Sequence, residues 1–475
     1  MSLCKRVLPA AGAVLALTAV LSIPSSAAEA AEESISVQLD GQTVSFTDAK
    51  PEASSGRTFL PFRAVFESMG AKVDYQADSQ TILADRDGVH LEMTLGSKDV
   101  KITEDGKTRT VSMDVAPYAK SSRTYVPVRF AAEAFGCNVG WDQEEQTVLI
   151  LDPEKMLGDA TFDLLDRYTA YALEEMDGRN QSVEGDLSMK FTMDQSLTGT
   201  EQDVTLPLTA DYSGVTSLTA GQMKMNMDLS GFADLAAVDG VSAEELKALK
   251  DSLKSVEVEV RLDLERGMYY ISCPILAQLM GQESTENTWF SMDMNAMLAA
   301  TGMDLGELMK LSTSAAGSAK AIFTEMFASM PLTSTGDYAL LAETSKLYVG
   351  MFSDSAFQKN GSTYTSSYSM KEDGAVMTCK TTLTAKGDDI VGMAMDLDMT
   401  AADPSTGSTA MSMKMDLSSD LSKTAMSMEM DMAGLMSFLL EMDMNTSFTT
   451  EQPVTALPKD AVVVDLLAGM NGAAQ

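Results

Sequence analysis

The sequence predicts an α+β protein in which a small duplicated β-α-β-hairpin module is followed by a large curved antiparallel sheet packed with helices. Two observations predict this class. Residues 57–84 recur as residues 123–150 without a gap. After residue 153, apolar residues alternate with polar ones in run after run, and most of the apolar residues are methionines. A repeat at a fixed offset indicates a module, and a period of two indicates strands with one apolar face.

The first 30 residues have the features of a secretory signal peptide. Lys5 and Arg6 precede an apolar run from Val7 to Ile23, and Ala28-Glu29-Ala30 offers a cleavage site. The alternative is a retained membrane anchor, but the run is short and Pro24 follows it. We therefore expect a secreted or extracytoplasmic envelope protein with no transmembrane segment after signal cleavage.

The net charge restricts the classes of partner that we expect, and the cysteine content indicates the cellular compartment. The net charge of −35 predicts repulsion from nucleic acid, so no nucleic-acid partner is expected. Three cysteines follow the signal segment, at positions 137, 273 and 379. An odd number permits at most one internal disulfide, for which Cys273 and Cys379 are the favoured pair. So few cysteines are typical of a bacterial envelope protein rather than of a disulfide-stapled domain.

Each repeat predicts a strand, a helix and a β-hairpin. Residues 57–61 and 123–127 end in proline, which disfavours helix in the preceding residue. Apolar residues at helical spacing follow, and a glycine ends each predicted helix. Further hairpins are predicted at the Asp-Gly pairs 40–41 and 105–106. Among the identical positions, the motif residues interpreted as structural are Arg57, Pro61, Arg63, Glu67 and Gly70 in the first copy and Arg123, Pro127, Arg129, Glu133 and Gly136 in the second.

This doubled pattern resembles the copper amine oxidase N-terminal domain-like module over residues of about 34–152. The resemblance implies an accessory or stalk domain on an exported protein of a Gram-positive bacterium. It does not imply a copper centre here, because such a centre needs several histidines and the chain has only His90. Arg63 and Arg129 could bind carboxylates of a cell-wall polymer. The favoured interpretation is an ion pair with the glutamate one helical turn further on.

All but five of the 37 methionines follow residue 175. Together with other apolar residues they alternate with polar residues at 187–193, 223–229, 393–399, 411–417 and 426–432, which predicts antiparallel strands in a domain over residues 180–475. A linker helix is predicted over residues 153–178. Helices are also predicted at 242–253, 295–330 and 337–352, and helices of this kind need a sheet face to cover.

Methionine is common on surfaces that adapt to different ligands, so the sheet is interpreted as binding a lipid or other amphiphile. The candidate contacts are Met393, Met395, Met411, Met413, Met428 and Met430. The alternative is an ordinary core, since each buried methionine contributes about 1.5–3 kcal/mol without a ligand. The order of strands and helices over residues 180–470 resembles the LolA/LppX-like lipoprotein carriers. That resemblance implies a half-barrel sheet around a lipid cavity.

The leading functional prediction is an exported, non-catalytic envelope protein that binds an amphiphile, with the repeat module as an accessory domain. The first alternative is binding of a cell-wall polymer, or a structural role without a small ligand. A minor alternative is binding of Cu(I) by thioethers. Sulfurs along one strand face lie about 7 Å apart, so neighbouring strands would have to contribute. No catalytic motif is found, so no enzyme activity, no cofactor and no metal ligands are predicted.

Overall fold

The computed structural model describes two compact units. The described residues are 35–54, 56–104, 106–176, 178–198, 202–236, 242–279, 287–299, 305–306, 318–372, 374–403 and 406–466. Among them, the repeat unit comprises residues up to 159 together with 320–347, and the sheet unit comprises residues 160–319 and those from 348 onward. The predicted signal peptide at residues 1–30 lies outside the described residues.

The strands of the repeat unit are β1 (Ser36–Leu39), β2 (Gln42–Thr43), β3 (Glu52–Ser54), β4 (Arg57–Pro61), β5 (Lys72–Gln76), β6 (Thr81–Arg86), β7 (Val89–Thr94), β8 (Asp99–Glu104), β9 (Lys107–Ser112), β10 (Tyr118–Lys120), β11 (Arg123–Pro127), β12 (Asn138–Asp142) and β13 (Thr147–Leu151). The strands of the sheet unit are β14 (Asn180–Met193), β15 (Val204–Thr216), β16 (Ala220–Asp228), β17 (Val256–Asp263), β18 (Met268–Ser272), β19 (Thr288–Asp293), β20 (Gln358–Asn360), β21 (Thr363–Glu372), β22 (Ala375–Lys386), β23 (Asp389–Ala402), β24 (Thr409–Asp420), β25 (Lys423–Met432), β26 (Met436–Thr449) and β27 (Val462–Asp465).

The helices are α1 (Phe62–Ser68), α2 (Val128–Glu133), α3 (Pro153–Leu157), α4 (Asp163–Met176), α5 (Gln195–Thr198), α6 (Ala243–Leu253), α7 (Pro274–Leu279), α8 (Met294–Ala299), α9 (Ala319–Ser329) and α10 (Asp337–Phe352), with 3₁₀ turns at Ser230–Ala236 and Asp354–Ala356.

The predicted α+β class is wrong, because the protein is mainly β. Of the described residues, 50% lie in strands and 24% in helices, and one sheet has fourteen strands. The prediction treated the helices as a layer that covers the sheet. Most of the helices are short, however, whereas the strands reach 14 residues. The helices predicted at 242–253 and 337–352 are present as α6 and α10. The one predicted over 295–330 falls partly outside the described residues.

The two repeats pair about a local twofold axis. Strands β4 and β11 are antiparallel, and Leu60 lies opposite Val126, its own counterpart in the second copy. The flanking pairs follow the same symmetry, which is the register of two related copies that share one self-complementary contact. Both copies contain the predicted strand, helix and hairpin, namely β4–α1–β5–β6 and β11–α2–β12–β13. Their core is one cluster that includes the buried Phe66, Ile82 and Ile150.

The two copies complete their sheets differently. Strand β1 pairs in parallel with β13, so the first strand of the repeat unit is hydrogen-bonded to the last strand of the second copy. The counterpart strands β8 and β6 are separated by β7, which gives a five-stranded sheet β5–β6–β7–β8–β9. The pairing of β1 with β13 thus joins the two ends of residues 36–151.

A segment far along the chain also packs in the repeat unit. The backbone N–H of Thr335 donates to the carboxylate of Asp142 at 2.8 Å. Gly140 in β12 lies against Leu332, and a Cβ atom there would be 2.0 Å from the Leu332 carbonyl oxygen. Only glycine therefore fits this close approach between β12 and residues 320–347.

The large sheet joins two antiparallel meanders. Strands β20–β26 form one and β14–β19 the other, and they meet in the ladder between β14 and β26, which runs from Asn180–Thr449 to Met193–Met436. Strand β27 adds a parallel edge beside β19. Helix α4 packs on β23 and buries Leu165 and Tyr168. All of these elements belong to the sheet unit.

The predicted linker helix over residues 153–178 is two helices, α3 and α4. Gly158 ends α3 with φ 55° and ψ −139°, a backbone conformation that glycine adopts readily and that does not continue the helix. Helix α4 begins where the carboxylate of Asp354 accepts hydrogen bonds from the backbone N–H groups of Asp163 and Leu164, at 2.8 and 2.9 Å. These bonds satisfy donors that a helix leaves unpaired at its start.

The favoured disulfide is not formed, because Cys137, Cys273 and Cys379 are all free thiols. Cys273 follows β18 and Cys379 lies in β22, and eight strands separate these two in the sheet order. Burial raises the pKa of the Cys137 thiol to about 12 and that of the Cys379 thiol to about 11. Both thiols are therefore protonated at neutral pH.

Candidate functional site

One face of the large sheet collects methionines from separate strands. Met413 lies opposite Met399 on one side and Met430 on the other, and Met415 lies opposite Met428. Residues in register project from the same face, with Cβ atoms about 4.5–5.5 Å apart. We call this side of the sheet the methionine face.

The six predicted ligand contacts all belong to strands β23, β24 and β25, on the methionine face. Met393, Met395 and Met413 are buried, with 4%, 1% and 8% of their surface exposed. Met411, Met428 and Met430 are partly exposed. The predicted set therefore contains both core residues and residues that a ligand could reach. Their contact with a ligand stays a prediction.

From Met428 and Met430 onward across the sheet, the methionine face is only half buried. Four neighbouring strands, β25, β26, β14 and β15, carry apolar side chains that are each of intermediate exposure. We call this group the half-buried band; its residues are Met426, Met428, Met430, Phe438, Leu440, Leu187, Met189, Phe191 and Leu208. One cross-strand row shows how they combine: Met428 faces Leu440, which faces Met189.

Sequence reasoning found the alternation in β14 and β25 but did not join them. The junction depends on the pairing of β14 with β26, strands from opposite ends of the sheet unit. The side chains of β26 that it missed, Phe438 and Leu440, stand in the run Ser437-Phe438-Leu439-Leu440, which lacks a clean alternation.

The enclosed space beside the methionine face is small. A cavity of about 80 Å³ lies between the end of α4 and the sheet, and Met176, Met223 and Met444 are among its lining residues. For comparison, an engineered apolar cavity of about 150 Å³ binds a single benzene ring. This cavity is therefore too small for a whole lipid chain.

The opposite face of the sheet is polar and acidic. An open hollow of about 620 Å³ lies there, and its lining includes Asp186, Asp211 and Glu257. Asp186 stands directly opposite Asp211 on one neighbouring strand and Asp443 on the other. A hydrogen bond with Asp211, partial desolvation and the charges of Asp211 and Asp443 raise the pKa of Asp186. Like charges in register destabilise a strand pair.

The variant Asp186→Asn is expected to raise the melting temperature at neutral pH and low salt. A carboxyl whose pKa is raised in the folded state contributes most to the stability of that state when it is protonated. This contribution is lost as the pH rises through the raised pKa. The gain over the wild type should therefore vanish below the ordinary aspartate pKa of about 3.9, and also in high salt.

Thermal unfolding at several pH values measures this effect. Asp398→Asn is the matched control, because Asp398 faces Lys414 across the ladder and the substitution removes an attraction. A lower melting temperature for Asp186→Asn at neutral pH would contradict the expectation.

In the repeat unit, two motif arginines pair across the copies. Arg57 Nε lies 2.5 Å from a carboxylate oxygen of Asp114, and Arg123 Nε lies 2.5 Å from one of Asp48. Asp48 and Asp114 precede the first and the second copy and are separated by the same offset as Arg57 and Arg123, so the two bridges are related by the local twofold axis. The hydrogen bond from Arg57 is the main cause of a lowered pKa for Asp114. The sequence did not show these partners.

The other motif residues shape the two short helices. Arg63 lies 3.5 Å from Glu67, and Arg129 lies 4.0 Å from Glu133, as the favoured interpretation expects. These pairs are exposed and contribute little, about 0.3–0.5 kcal/mol each. The remaining motif positions act on the backbone: Pro61 and Pro127 are the N-cap residues of α1 and α2, and Gly70 and Gly136 adopt φ values of 87° and 74°.

A buried ion pair links the corresponding ends of the copies. Arg86 donates to the carboxylate of Asp152, its counterpart in the second copy, and to the sulfur of Cys137 at 3.4 Å. The side chains of Arg86 and Asp152 are 7% and 2% exposed. Burial acts to lower the pKa of Arg86, but the charge of Asp152, the interaction with Cys137 and the hydrogen bonds to both together outweigh it, so the pKa is raised.

The residues do not fit a type-2 copper centre. His90 Nδ1 lies 2.6 Å from a carboxylate oxygen of Asp85 on a partly exposed strand. Among the described residues, no group of three His, Cys, Asp or Glu side chains is arranged to hold a metal ion.

Comparison with known families identifies part of the chain. Residues 38–150 match the family model of the copper amine oxidase N-terminal domain. The match covers that non-catalytic domain and not the catalytic domain, and it confirms the predicted resemblance for the repeat module. No curated protein matches the chain. The chain is thus a mainly β protein in which residues 38–150 are similar to that domain.

The comparisons give no support to the likeness of residues 180–470 to LolA/LppX-like carriers, which stays a prediction. In the part of the chain that the structure describes, no helix combines the length and apolar character needed to cross a bilayer.

Proposed function

We propose that the chain is an exported, non-catalytic binding protein that holds the apolar part of an amphiphile on the half-buried band. The observation that carries this proposal is the band itself, nine apolar side chains on four adjacent strands, each partly open to solvent. Contiguous apolar surface of this kind marks binding sites in soluble proteins. The repeat module acts as an accessory domain, as its family match supports.

The chemistry of the band suits a flexible apolar chain. Methionine side chains are unbranched and polarizable, so they repack around ligands of different shape. Each ligand CH₂ group removed from water contributes about 0.8 kcal/mol. Because the adjacent cavity measures only about 80 Å³, the chain of the ligand lies along the band and not inside the sheet unit.

The net charge of the protein restricts the class of head group that the ligand carries. The protein carries a net charge of −35, which repels anionic head groups at low salt. A single-chain amphiphile with a zwitterionic head, such as a lysophosphatidylcholine, fits this charge and the open band. Export rests on the signal-like residues 1–30.

A titration with dodecylphosphocholine below its micelle concentration tests the proposal. We expect binding to the wild type, and at least tenfold weaker binding, or about 1.4 kcal/mol, for Met428→Asp, which places a charge in the middle of the band. Met428→Leu is the matched control because it keeps volume and apolar area, and it should bind within about twofold of the wild type.

Asp186→Asn, on the opposite face, should also leave binding unchanged. Equal affinity of wild type and Met428→Asp, or no binding by a folded wild type, would contradict the proposal.

A further inference from the structure

A line of thioethers crosses five consecutive strands at one end of the methionine face. Each member lies in register with the next, from β21 through β22, β23 and β24 to β25. We call it the thioether row; its residues are Met370, Met377, Met399, Met413 and Met430. Met430 also belongs to the half-buried band, and the other four do not.

The cross-strand register brings these methionines closer together than methionines that follow one another along a single strand. Along one strand the sulfurs are about 7 Å apart, whereas side chains on neighbouring strands start from backbones about 4.7–4.9 Å apart. Three rotatable bonds in each methionine then allow adjacent sulfurs to converge on one ion. Met399, Met413 and Met430 stand on three successive strands and form the centre of such a site.

Some side chains of the thioether row are partly exposed to solvent and the others are buried. Met377 and Met413 are 4% and 8% exposed, whereas Met370, Met399 and Met430 are partly exposed. A cation could therefore reach the outer sulfurs from solvent while the inner ones lie in the apolar face. The free thiol of Cys379 lies two residues beyond Met377 on the same strand face, which adds a further sulfur atom.

Thioethers are neutral and soft, so they select soft monovalent ions over hard divalent ones. The net charge of −35 also raises the local concentration of cations. We propose that the thioether row binds Cu(I), with Met399, Met413 and Met430 as its central ligands. This site is distinct from the amphiphile site in chemistry, because it needs the sulfur atoms and not the apolar area.

Leucine substitution distinguishes the need for sulfur atoms in Cu(I) binding from the need for apolar area in amphiphile binding. Met399→Leu/Met413→Leu/Met430→Leu keeps the apolar volume and removes three sulfurs. Met393→Leu/Met395→Leu/Met426→Leu removes three sulfurs of the same sheet that lie outside the row, and it is the matched control.

The test is an anaerobic titration of the whole protein with Cu(I) in competition with a chromogenic Cu(I) chelator. Native mass spectrometry with Ag(I) counts the ions. We expect one ion per chain for the wild type and the control, and at least a hundredfold loss of affinity for the row variant. X-ray absorption of the copper-loaded wild type should show only sulfur neighbours, a readout that does not depend on any variant.

Dodecylphosphocholine binding by Met377→Leu/Met399→Leu, which changes two residues of the thioether row and none of the half-buried band, should survive while its Cu(I) affinity falls. Failure of one proposal is thereby distinguished from failure of the other. Three results would overturn the copper proposal: a wild type that cannot compete with the chelator, a row variant that binds as tightly as the wild type, or nitrogen and oxygen neighbours in the absorption spectrum.

Discussion

Replacing Arg86 with methionine is expected to lower the free energy of unfolding of the repeat unit by about 3–5 kcal/mol, because it leaves the Asp152 carboxylate buried without its main partner. The Asp152 side chain is 2% exposed, so water does not replace the lost guanidinium. Urea unfolding measures the effect. Trp141 reports on the repeat unit, and the other tryptophan, Trp289, is replaced by phenylalanine to remove its signal.

Two controls define the origin of this loss. Arg86→Met/Asp152→Leu removes both charges and should recover most of the stability, since a buried ion pair and an apolar pair are often equivalent. Arg57→Met removes an exposed pair and should cost much less than Arg86→Met, because solvent screens exposed charges. If Arg86→Met costs no more than Arg57→Met, the buried pair does not hold the copies together as described.

Replacing Met415 with aspartate is expected to unfold the sheet unit. Met415 is 3% exposed and lies between Leu397 and Met428 in the middle of the methionine face. A charge buried there costs several kcal/mol and has no basic group in the adjacent registered positions. Circular dichroism and the fluorescence of Trp289 should show the loss of structure.

Met415→Leu is the matched control for this substitution. It conserves volume and should cost less than about 1.5 kcal/mol. A Met415→Asp protein with the stability of the wild type would show that this part of the face is not a packed core.

The sequence predicted those features of the repeat unit that each copy contains within itself. Strand, helix and hairpin follow from local signals such as the proline at 61 and the glycine at 70, and both copies show them. The pairs Arg57–Asp114 and Arg86–Asp152 were not predictable, because each joins one copy to the other across the local twofold axis. Nor did any local pattern mark residues 320–347 as part of this unit.

In the sheet unit, alternation predicted which residues share a face but not which strands are neighbours. The period of two placed Met413 and Met430 on apolar faces, and the structure puts them side by side. Strand order is set by long-range pairing, of which the ladder between β14 and β26 is the clearest case. The fold class and the disulfide were wrong for the same reason, since both depended on the arrangement of distant elements.

The most direct test of the central claim is native mass spectrometry of the protein purified without detergent, with organic extraction of whatever co-purifies. The account predicts one amphiphile per chain, retained by Met428→Leu and lost from Met428→Asp. A folded wild type with the bare polypeptide mass, unchanged after incubation with a zwitterionic single-chain lipid, would contradict it.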